Sequence, residues 1–413
     1  MSTAIAAERW RDAALDLDRW MAGRDYAGYD PHDFLASPLV RATTMGSRWA
    51  AVAWTQLGKR LPVQTRPLLR VPPLRNAKGL GLVLAARVRL AADVGSAAEP
   101  ERIVAWLDDL AERGHGGAGW GYPFPWANRS FMAPAGTPSS VATAFVGHAL
   151  LDAAEAGAGD RAAVLASEAG TFLATSLQRI PGPDRTFCFS YTPLDRRAVH
   201  NASLLAASLL ARLSGVEGDG ARDGARDGAR DSARNGARGE LVSRAAGYTL
   251  AAQRADGSWP YGPAATDGWV DSFHTGYVLL ALATIGRHVD VPGLDDAVER
   301  GAAYWRSSFF DGPAVGYYPG RPYPVDTHAV AQAILTLLGL RHLIPGAVSE
   351  AERLADWAVS EMRDPAGYYY YQHHGRWRNR LPYMRWTQAW MLRALAELAT
   401  VGRQSTPKRT GTS

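Results

Sequence analysis

A five-fold repeat constrains the fold of this 413-residue chain more than any other feature. In each copy, a loop rich in Gly and aromatic residues leads into a helix of small and apolar residues. The loops span 114–126, 187–193, 256–262, 316–324 and 367–377. The helix starts near Ser140, Asn201, His274, His328 and Gln388 lie 53 to 61 residues apart, once 20 low-complexity residues are set aside. Such a period holds two helices and two connections.

Two kinds of helix alternate along the chain. Segments 206–213, 277–285 and 329–340 are apolar nearly all round, which predicts helices buried on most sides. The intervening segments are amphipathic, which predicts outer helices. They span 100–113, 160–180, 240–253, 294–309 and 349–363. A sixth pair is expected near the N-terminus, with 3–22 or 38–57 as one helix and 76–93 as the other.

About six helical hairpins with buried inner helices predict an all-α fold, a closed (α/α)6-type toroid. The competing geometry is an open solenoid, whose inner helices would face a solvated groove and carry a polar side. The toroid domain is expected to span 1–403. Because every aromatic loop precedes an inner helix, the loops should gather at one end of the ring.

Two segments are set apart from the toroid by their composition. Residues 219–238 repeat the tetrapeptide Asp-Gly-Ala-Arg with small variations and have almost no apolar side chains. We therefore expect a disordered insertion over 216–239, because such a segment cannot bury enough surface to offset its loss of conformational entropy. The polar tail 404–413 is expected to be disordered as well.

Charge and cysteine content limit the classes of partner. The 45 Lys and Arg residues barely exceed the 40 Asp and Glu residues, so a nucleic-acid partner is not expected. No apolar stretch approaches the 18 or so residues of a membrane span, and the N-terminus does not resemble a targeting signal, so we expect a cytoplasmic protein. The single cysteine, Cys188, excludes an intramolecular disulfide and a multi-thiolate metal site. No cofactor and no metal are expected.

The loop aromatics and the first turns of the inner helices supply the candidate binding residues. Flat aromatic faces with polar edges suit sugars, and the same faces stabilise carbocations. The candidate substrate-binding residues are Trp120, Tyr122, Trp126, His200, Asn201, Trp259, Tyr261, Gln332, Tyr383, Arg385 and Gln388. A cap over the toroid core is the structural alternative for these rings.

Five residues are candidates for catalysis: Asp271, His274, Asp326, His328 and Tyr191. Carboxyl and imidazole groups are the common acids, bases and nucleophiles of enzymes. The alternative for Asp271 and Asp326 is structural, because a carboxylate at a helix N-terminus caps free N–H groups. His328 stands in an otherwise apolar helix, where a histidine packed in the core is the corresponding alternative.

Two resemblances follow from these motifs. The stretch 244–259 (RAAGYTLAAQRADGSW) resembles the QW repeat of triterpene cyclases, which implies that Gln253 and Trp259 tie one helix end to the next helix start. Motifs over most of the chain, among them WVDSFHTGYVLLAL at 269–282 and YPVDTHAVAQAILTL at 323–337, are similar to a family of bacterial and archaeal toroid proteins. Genes of that family lie among those for extracellular polysaccharides and surface glycans, which implies a glycan substrate and further proteins of a biosynthetic cluster as partners.

The leading interpretation is an enzyme that acts on a sugar chain, and two mechanisms stay open. In hydrolysis, Asp271 and Asp326 would be acid and base. In uronate epimerisation or β-elimination, Tyr191, His274 or His328 would take a proton, and Arg385 would offset the charge that builds up. The alternatives are an isoprenoid cyclase or prenyltransferase, with Asp326 as the acid, and a non-catalytic glycan-binding component of a complex.

Overall fold

The computed structural model describes residues 3–91, 98–127, 132–220 and 227–404. Its helices are α1 (Thr3–Ala22), α2 (Pro38–Thr44), α3 (Arg48–Arg60), α4 (Ala77–Ala91), α5 (Ala98–Asp109), α6 (Ser140–Glu155), α7 (Asp160–Thr175), α8 (His200–Gly220), α9 (Asp227–Ala251), α10 (Ser272–Gly286), α11 (Leu294–Phe309), α12 (Thr327–Gly339), α13 (Ala347–Glu361) and α14 (Trp390–Gln404). A π-helical turn, Met384–Ala389, leads into α14, and short 3-10 turns span Asp33–Ala36 and Ala265–Asp267.

Short antiparallel strands join the helices within the loops. They are β1 (Ala27–Gly28), β2 (Leu74–Arg75), β3 (Trp126–Ala127), β4 (Met132–Ala133), β5 (Arg179–Pro181), β6 (Phe187–Phe189), β7 (Val325–Asp326), β8 (Gln372–His373) and β9 (Arg378–Asn379). β1 pairs with β2, β3 with β4, β5 with β6, and β8 lies between β7 and β9. None of these strands exceeds three residues, so they fix the loops rather than build a sheet core.

Six inner helices form a closed ring. Each of α4, α6, α8, α10 and α12 contacts the next inner helix, and α14 contacts both α12 and α4. Each inner helix also packs on the outer helix that follows it, and α14 packs on α1 from the other end of the chain. The (α/α)6 toroid is therefore confirmed, and the open solenoid is excluded. Of the two N-terminal segments, 3–22 rather than 38–57 supplies the sixth outer helix.

Glycine lets neighbouring inner helices approach closely. A Cβ atom on Gly147 of α6 would lie 2.2 Å from a methyl group of Leu209 on α8, and one on Gly339 of α12 would lie 2.4 Å from a methyl group of Leu280 on α10. Contacts this short are impossible for a real Cβ. The small residues that the sequence places in the inner helices are therefore what allows the ring to close this tightly.

Buried tryptophans fasten the loops to the ends of the outer helices. The indole N–H of Trp120 donates to the carbonyl of Leu107 in α5 at 2.7 Å, and that of Trp259 donates to the carbonyl of Thr249 in α9 at 2.9 Å. Both acceptor carbonyls belong to the last turn of their helix, where carbonyls lack an N–H partner within the helix. Gln253 donates to the carbonyls of Gly257 and Ala297, and the QW repeat stays an implication of the resemblance.

A backbone hydrogen bond links the start of an inner helix to the next loop around the ring, and it recurs five times. In each case an N–H group donates to the carbonyl of a tyrosine, at 2.9 to 3.2 Å. The pairs are Ser140 with Tyr191, His200 with Tyr261, Ser272 with Tyr317, Thr327 with Tyr371, and Met384 with Tyr29. We call these contacts the tyrosine latches. Because they repeat around the ring, they hold the aromatic loops together at the end where the inner helices begin.

A small satellite of helices covers part of the same end. Helices α2 and α3 pack with the 3-10 turn Asp33–Ala36 around a separate apolar cluster that includes Leu35, Val40 and Ala51. Ser37 and Ser47 cap the two helices by accepting from backbone N–H groups. This packing brings the end of α3, with Lys59, to the mouth of the ring.

The low-complexity segment is only partly described. The backbone is helical over 216–220, at the end of α8, and over 227–239, at the start of α9. Residues 221–226 and 405–413 lie outside the described residues, so the boundaries of the expected insertion and tail stay predictions. No helix in the described parts of the chain is both long and apolar enough to cross a bilayer.

Candidate functional site

A cavity of about 250 Å³ opens at the end of the ring where the inner helices begin. Aromatic and basic side chains line it, together with histidines, and no carboxylate is among them. The lining residues are His32, Lys59, Lys78, Tyr122, Phe124, Trp126, Val141, Tyr191, Arg197, Asn201, Tyr261, Trp269, Phe273, His274, Tyr277, Tyr317, His328, Arg385 and Trp386. The cavity thus joins the aromatic loops, the first turns of the inner helices and the satellite.

Asp271 and His274 form a carboxylate–imidazole pair at the cavity wall. Asp271 caps α10: its Oδ1 atom accepts from the backbone N–H of His274 at 2.8 Å. Its Oδ2 atom accepts from Nδ1 of His274 at 2.7 Å. Because the carboxylate can only accept, Nδ1 carries the hydrogen, and in the neutral imidazole Nε2 presents a lone pair. The described residues leave Nε2 without a hydrogen-bond partner, and the imidazole is partly exposed to the cavity.

His328 and Tyr277 form a second polar pair, deeper in the cavity. The Tyr277 hydroxyl and Nε2 of His328 are 2.6 Å apart. Burial lowers the pKa of His328 well below its usual value, with further lowering by Lys78 and Arg385. Burial also raises the pKa of Tyr277 well above its usual value. The pair therefore holds a neutral imidazole beside a protonated phenol. The Phe273 ring contacts the rings of both His274 and His328, at 4.0 and 4.6 Å between centroids.

Asp326 lies behind the cavity wall rather than in it. Its Oδ1 atom accepts from the backbone N–H of His328 at 2.9 Å, so it caps α12. The indole N–H of Trp386 and the amide of Gln372 also donate to its carboxylate, at 3.0 to 3.2 Å. Burial raises the pKa of Asp326 to about 7, although these hydrogen bonds and Lys59 lower it. Asp326 thus orients Trp386, whose ring does line the cavity.

Arg385 is held by a buried ion pair. Its Nε and Nη2 atoms donate to the two carboxylate oxygens of Asp30 at 2.6 and 2.8 Å. The guanidinium also lies over the rings of Tyr122 and Trp386, about 5 Å from each centroid. This bidentate geometry fixes the plane of the guanidinium and leaves one edge toward the cavity. Burial lowers the pKa of Arg385, but Asp30, Tyr122 and Tyr277 together outweigh burial and raise it.

Lys78 occupies the floor of the cavity on a layer of three aromatic rings. Phe145, Tyr277 and Trp390, from α6, α10 and α14, lie 5.2 to 5.6 Å apart between centroids. We call this layer the septum. The Nζ atom of Lys78 is 4.2 Å from the centroid of Phe145 and about 5 Å from the other two. Burial, and then Arg385, lower the pKa of Lys78 well below its usual value.

Three buried polar atoms of cavity-lining residues have no hydrogen-bond partner within the described residues. They are Nδ1 of His32, Oδ1 of Asn201 and Nδ1 of His328. Buried polar groups without partners are rare in folded proteins because each costs free energy. A polar ligand in the cavity would supply the missing partners of these three atoms, although similar atoms, such as Nε1 of Trp10 and the hydroxyl of Tyr369, also occur away from the cavity.

The structure brings together only part of the candidate residues. The cavity is lined by His274, His328, Tyr191, Tyr122, Trp126, Asn201, Tyr261 and Arg385. The others pack elsewhere: Asp271 and Asp326 as helix caps, Trp120 and Trp259 as caps of outer helices, and His200, Tyr383 and Gln388 in the surrounding core, while Gln332 lines a second cavity at the other end of the ring. Gln388, for example, exchanges two hydrogen bonds with the backbone of Tyr369.

Several cavity residues were missed by the sequence reasoning. His32 and Asp30 reach the site from a loop with no aromatic repeat, and Tyr277 was placed within an apolar inner helix. Lys59 and Lys78 are two of only three lysines in a chain rich in arginine. The scarcity of lysine, and the position of Lys78 at the start of an apolar helix, are the sequence features that could have indicated a functional role for these residues.

No group of three or more His, Cys, Asp or Glu side chains within the described residues is arranged to hold a metal ion. The candidate site combines a carboxylate-backed imidazole, a neutral imidazole–phenol pair and four basic side chains, those of Lys59, Lys78, Arg197 and Arg385.

Comparison with known proteins supports the fold. No protein family matches the sequence, and no curated protein does. Solved structures do match in fold. A family 76 α-mannanase from Bacteroides thetaiotaomicron is 11% identical, with a TM-score of 0.59 over 80% of this chain and 87% of that one. A cellobiose 2-epimerase from Bacillus thermoamylovorans is 11% identical, with a TM-score of 0.55 over 80% and 90%. A D-mannose isomerase is 11% identical, with a TM-score of 0.55 over 78% and 87%.

Proposed function

We propose that this chain is a sugar-modifying enzyme that transfers a proton at a carbon next to a carbonyl or carboxyl group, as in epimerisation. One observation carries the proposal: the Asp271-backed His274 presents Nε2 to a cavity that contains cations but no carboxylate. A carboxylate that fixes the tautomer of an imidazole prepares it to act as a base. The α/α-toroid neighbours include a sugar epimerase and a sugar isomerase, which agrees with the proposal at the level of the fold.

His274 is the base in this mechanism. Its Nε2 atom takes the proton from the carbon, and the electron pair of the broken C–H bond moves onto the neighbouring oxygen. Imidazolium formation on His274 is stabilised by the carboxylate of Asp271 at 2.7 Å. Because Asp271 is buried and itself fixed as a helix cap, the imidazole is held in one orientation.

The cations of the cavity stabilise the charge that forms on oxygen. Lys59 and Lys78 line the cavity and make no ion pair of 4 Å or less with a carboxylate of the described residues, so their donors are available to a substrate. Arg385 adds the guanidinium edge that Asp30 leaves uncovered. Preorganised donors aimed at a developing negative charge are commonly the largest contribution to such a reaction.

Tyr277 is the acid that completes the transfer. Its hydroxyl carries a proton and is bonded to the neutral His328, which accepts. The rings of His274 and Tyr277 lie 5.8 Å apart at the start of α10, so base and acid face the same part of the cavity. Proton removal on one face of the carbon and return on the other inverts its configuration, and exchange with water then restores the starting protonation states of His274 and Tyr277.

The aromatic walls bind the sugar faces in this proposal. Tyr261 stacks on Trp269 at 4.3 Å between centroids, and Trp126 contacts Tyr191 at 5.3 Å. A cavity of about 250 Å³ has room for a single sugar unit, which favours a monosaccharide or a chain end over the middle of a polymer. A role in surface-glycan biosynthesis, with other proteins of that process as partners and a cytoplasmic location, remains part of the proposal.

The site favours proton transfer over two other chemistries. Two-carboxylate hydrolysis needs both acids beside the scissile bond, and here Asp271 and Asp326 lie behind the wall as helix caps. Carbocation chemistry would gain from the aromatic faces, but the charged guanidinium of Arg385 would repel a positive intermediate.

Solvent exchange tests the proposal. The full chain is incubated in deuterated water with a panel of aldoses, uronates and disaccharides, and products are followed by NMR. We expect deuterium at the carbon next to the carbonyl or carboxyl group, together with the epimer. His274→Gln should abolish both signals, and His342→Gln, at an exposed histidine, should leave them unchanged.

Other outcomes contradict the proposal in distinguishable ways. New reducing ends without exchange indicate hydrolysis. Cyclised hydrocarbon from a parallel incubation with prenyl diphosphates and polyenes indicates an isoprenoid enzyme. Sugar binding without any turnover, unaffected by His274→Gln, indicates a binding protein.

A further inference from the structure

A second cavity, of about 650 Å³, lies on the other side of the septum. The inner helices end here, so this is the opposite mouth of the ring. Tyr277 lines both cavities, and Phe145 and Trp390 line the second. The septum thus divides the axis of the toroid into two compartments, and the proposed chemistry uses only the first.

Arginines dominate the charge of this second compartment. Five of them line it, Arg89, Arg212, Arg287, Arg341 and Arg393, against three carboxylates, so the lining carries two net positive charges when its histidines are neutral. The excess is large for a cavity whose remaining walls are mainly Leu, Ala and aromatic side chains.

The three carboxylates are already engaged. Asp152 pairs with Arg89 at 2.8 Å and with Arg212 at 2.9 Å. Glu397 pairs with Arg89 and Arg393. Burial alone raises the pKa of Asp152, but Arg89 and Arg212 outweigh burial and hold it at about 2. Asp152 and Glu397 are therefore ionised, and their negative charges are paired with Arg89, Arg212 and Arg393.

Glu155 is the third carboxylate of the network, and no carboxylate among the described lining residues remains to pair with the arginines at the rim of the cavity. It pairs with Arg212 at 3.0 Å. Arg287 and Arg341 have no carboxylate within 4 Å among the described residues. Within the described residues, each donates one hydrogen bond, to a carbonyl near its own helix end: Arg287 to Ala283 at 3.1 Å and Arg341 to Leu338 at 2.9 Å. A guanidinium has five N–H donors, so most of theirs remain free.

The free arginines also lie close to other positive charges. Partial burial, and then Arg212 and Arg341, lower the pKa of Arg287. Like charges held together at the mouth of a cavity repel one another, and a bound anion relieves the repulsion. Planar guanidinium groups match the oxygens of phosphates in two-point contacts.

We propose that this opposite compartment is a binding site for a phosphorylated small molecule, held by Arg287 and Arg341 at the rim. The volume suits a ligand of metabolite size, and the apolar walls suit its uncharged part. The proposal does not depend on the reaction in the first compartment.

Calorimetry with inorganic pyrophosphate and with glucose 1-phosphate tests the site on the full chain, with glucose as the uncharged comparison. We expect both phosphates to bind, binding to weaken at high salt, and glucose not to bind in this compartment. The double substitution Arg287→Gln/Arg341→Gln should weaken phosphate binding by about tenfold or more, since each charge-assisted bond is worth that much. Both side chains are exposed, so the double variant should fold.

Two controls locate the ligand. Arg306→Gln alters an exposed arginine that likewise donates to a carbonyl, that of Pro345, and it should leave binding unchanged. Lys59→Gln, in the first compartment, should also leave it unchanged. Loss of binding in Lys59→Gln but not in the double variant would place the anion in the first compartment and overturn the proposal. No phosphate binding, or binding that the double variant does not weaken, would mean that these arginines only neutralise helix ends.

Discussion

The Nδ1 atom of His274 donates to Oδ2 of Asp271 at 2.7 Å, and the backbone N–H of the same histidine donates to Oδ1 at 2.8 Å. One carboxylate therefore both caps α10 and orients the imidazole on its first turn. The first turn of α10 therefore holds the proposed base in one orientation, because neither the carboxylate nor the ring can turn without losing a hydrogen bond.

Asp271→Asn separates the two roles of this carboxylate. Asparagine is a good helix cap, so the unfolding free energy should change by less than about 1 kcal/mol. The neutral amide cannot stabilise an imidazolium, so kcat for proton exchange should fall by about 100-fold or more. The measurement combines urea unfolding with the deuterium-exchange assay. Full activity in Asp271→Asn would show that the pair is only structural.

The raised pKa of Asp326 predicts that the free energy of unfolding depends on pH. Its pKa is about 7 in the folded chain, raised by burial from 3.8. The folded state then binds a proton that the unfolded state has released, so the contribution of Asp326 is fully present below about pH 4 and is lost as the pH rises to about 7. The total loss is on the order of 4 kcal/mol.

Asp326→Asn is the comparison for that dependence, since asparagine can still cap α12 but does not ionise. The difference in unfolding free energy between the native chain and this variant should fall from about pH 4 to about pH 7 and stay constant above it. Urea unfolding across this pH range measures it. A difference that does not change with pH would mean that Asp326 is ionised throughout.

The Arg385–Asp30 pair should contribute to stability well beyond an exposed pair. Asp30→Asn leaves the buried guanidinium without its counter-charge and should cost about 3–5 kcal/mol. Asp25→Asn is the matched control, because Asp25 is largely exposed and its carboxylate lies 3.9 Å from Arg75. That substitution should cost less than about 1 kcal/mol. Equal effects in denaturant unfolding would contradict the assigned role of Asp30.

Lys78→Met should separate stability from activity. Methionine keeps the length of the side chain and its contact with the septum, and it removes the cost of burying an amino group. The lost cation–π attraction limits the gain, so the unfolding free energy should stay within about 2 kcal/mol of the native value. Proton-exchange activity should fall by about 100-fold, as when one donor to a developing oxyanion is removed. A well-folded Lys78→Met chain with native kcat would exclude Lys78 from the reaction.

Periodic features of the fold could be predicted from the sequence. Apolar helices of small residues at a spacing of 53 to 61 residues predicted the inner ring, and the structure confirms them as α6, α8, α10 and α12 with α14. Helix capping could also be predicted: Asp271 and Asp326 directly precede inner helices, and both are N-caps in the structure. The sequence does not distinguish 3–22 from 38–57 as the sixth outer helix, because both segments have helical patterns.

The composition of the site was less predictable. Trp120 and Trp259 stand in the same loops as Tyr122 and Tyr261, yet the first two face outer helices and the second two face the cavity. Neighbouring side chains of a loop point in different directions, and the amino-acid composition of the loop does not show which of them faces the cavity. His200 and Gln388 likewise stand at helix starts, but their partners lie in the surrounding core.

By itself, the sequence determined the repeat, the two kinds of helix and therefore the toroid, because these depend on local periodicity and on which faces must be buried. Only the tertiary structure decided which side chains meet. Asp30 and Arg385 are 355 residues apart, and Lys78 reaches the septum from a helix with no aromatic loop. Closing the ring brings the two ends of the chain together, and contacts across that closure follow from packing in three dimensions rather than from any pattern along the chain.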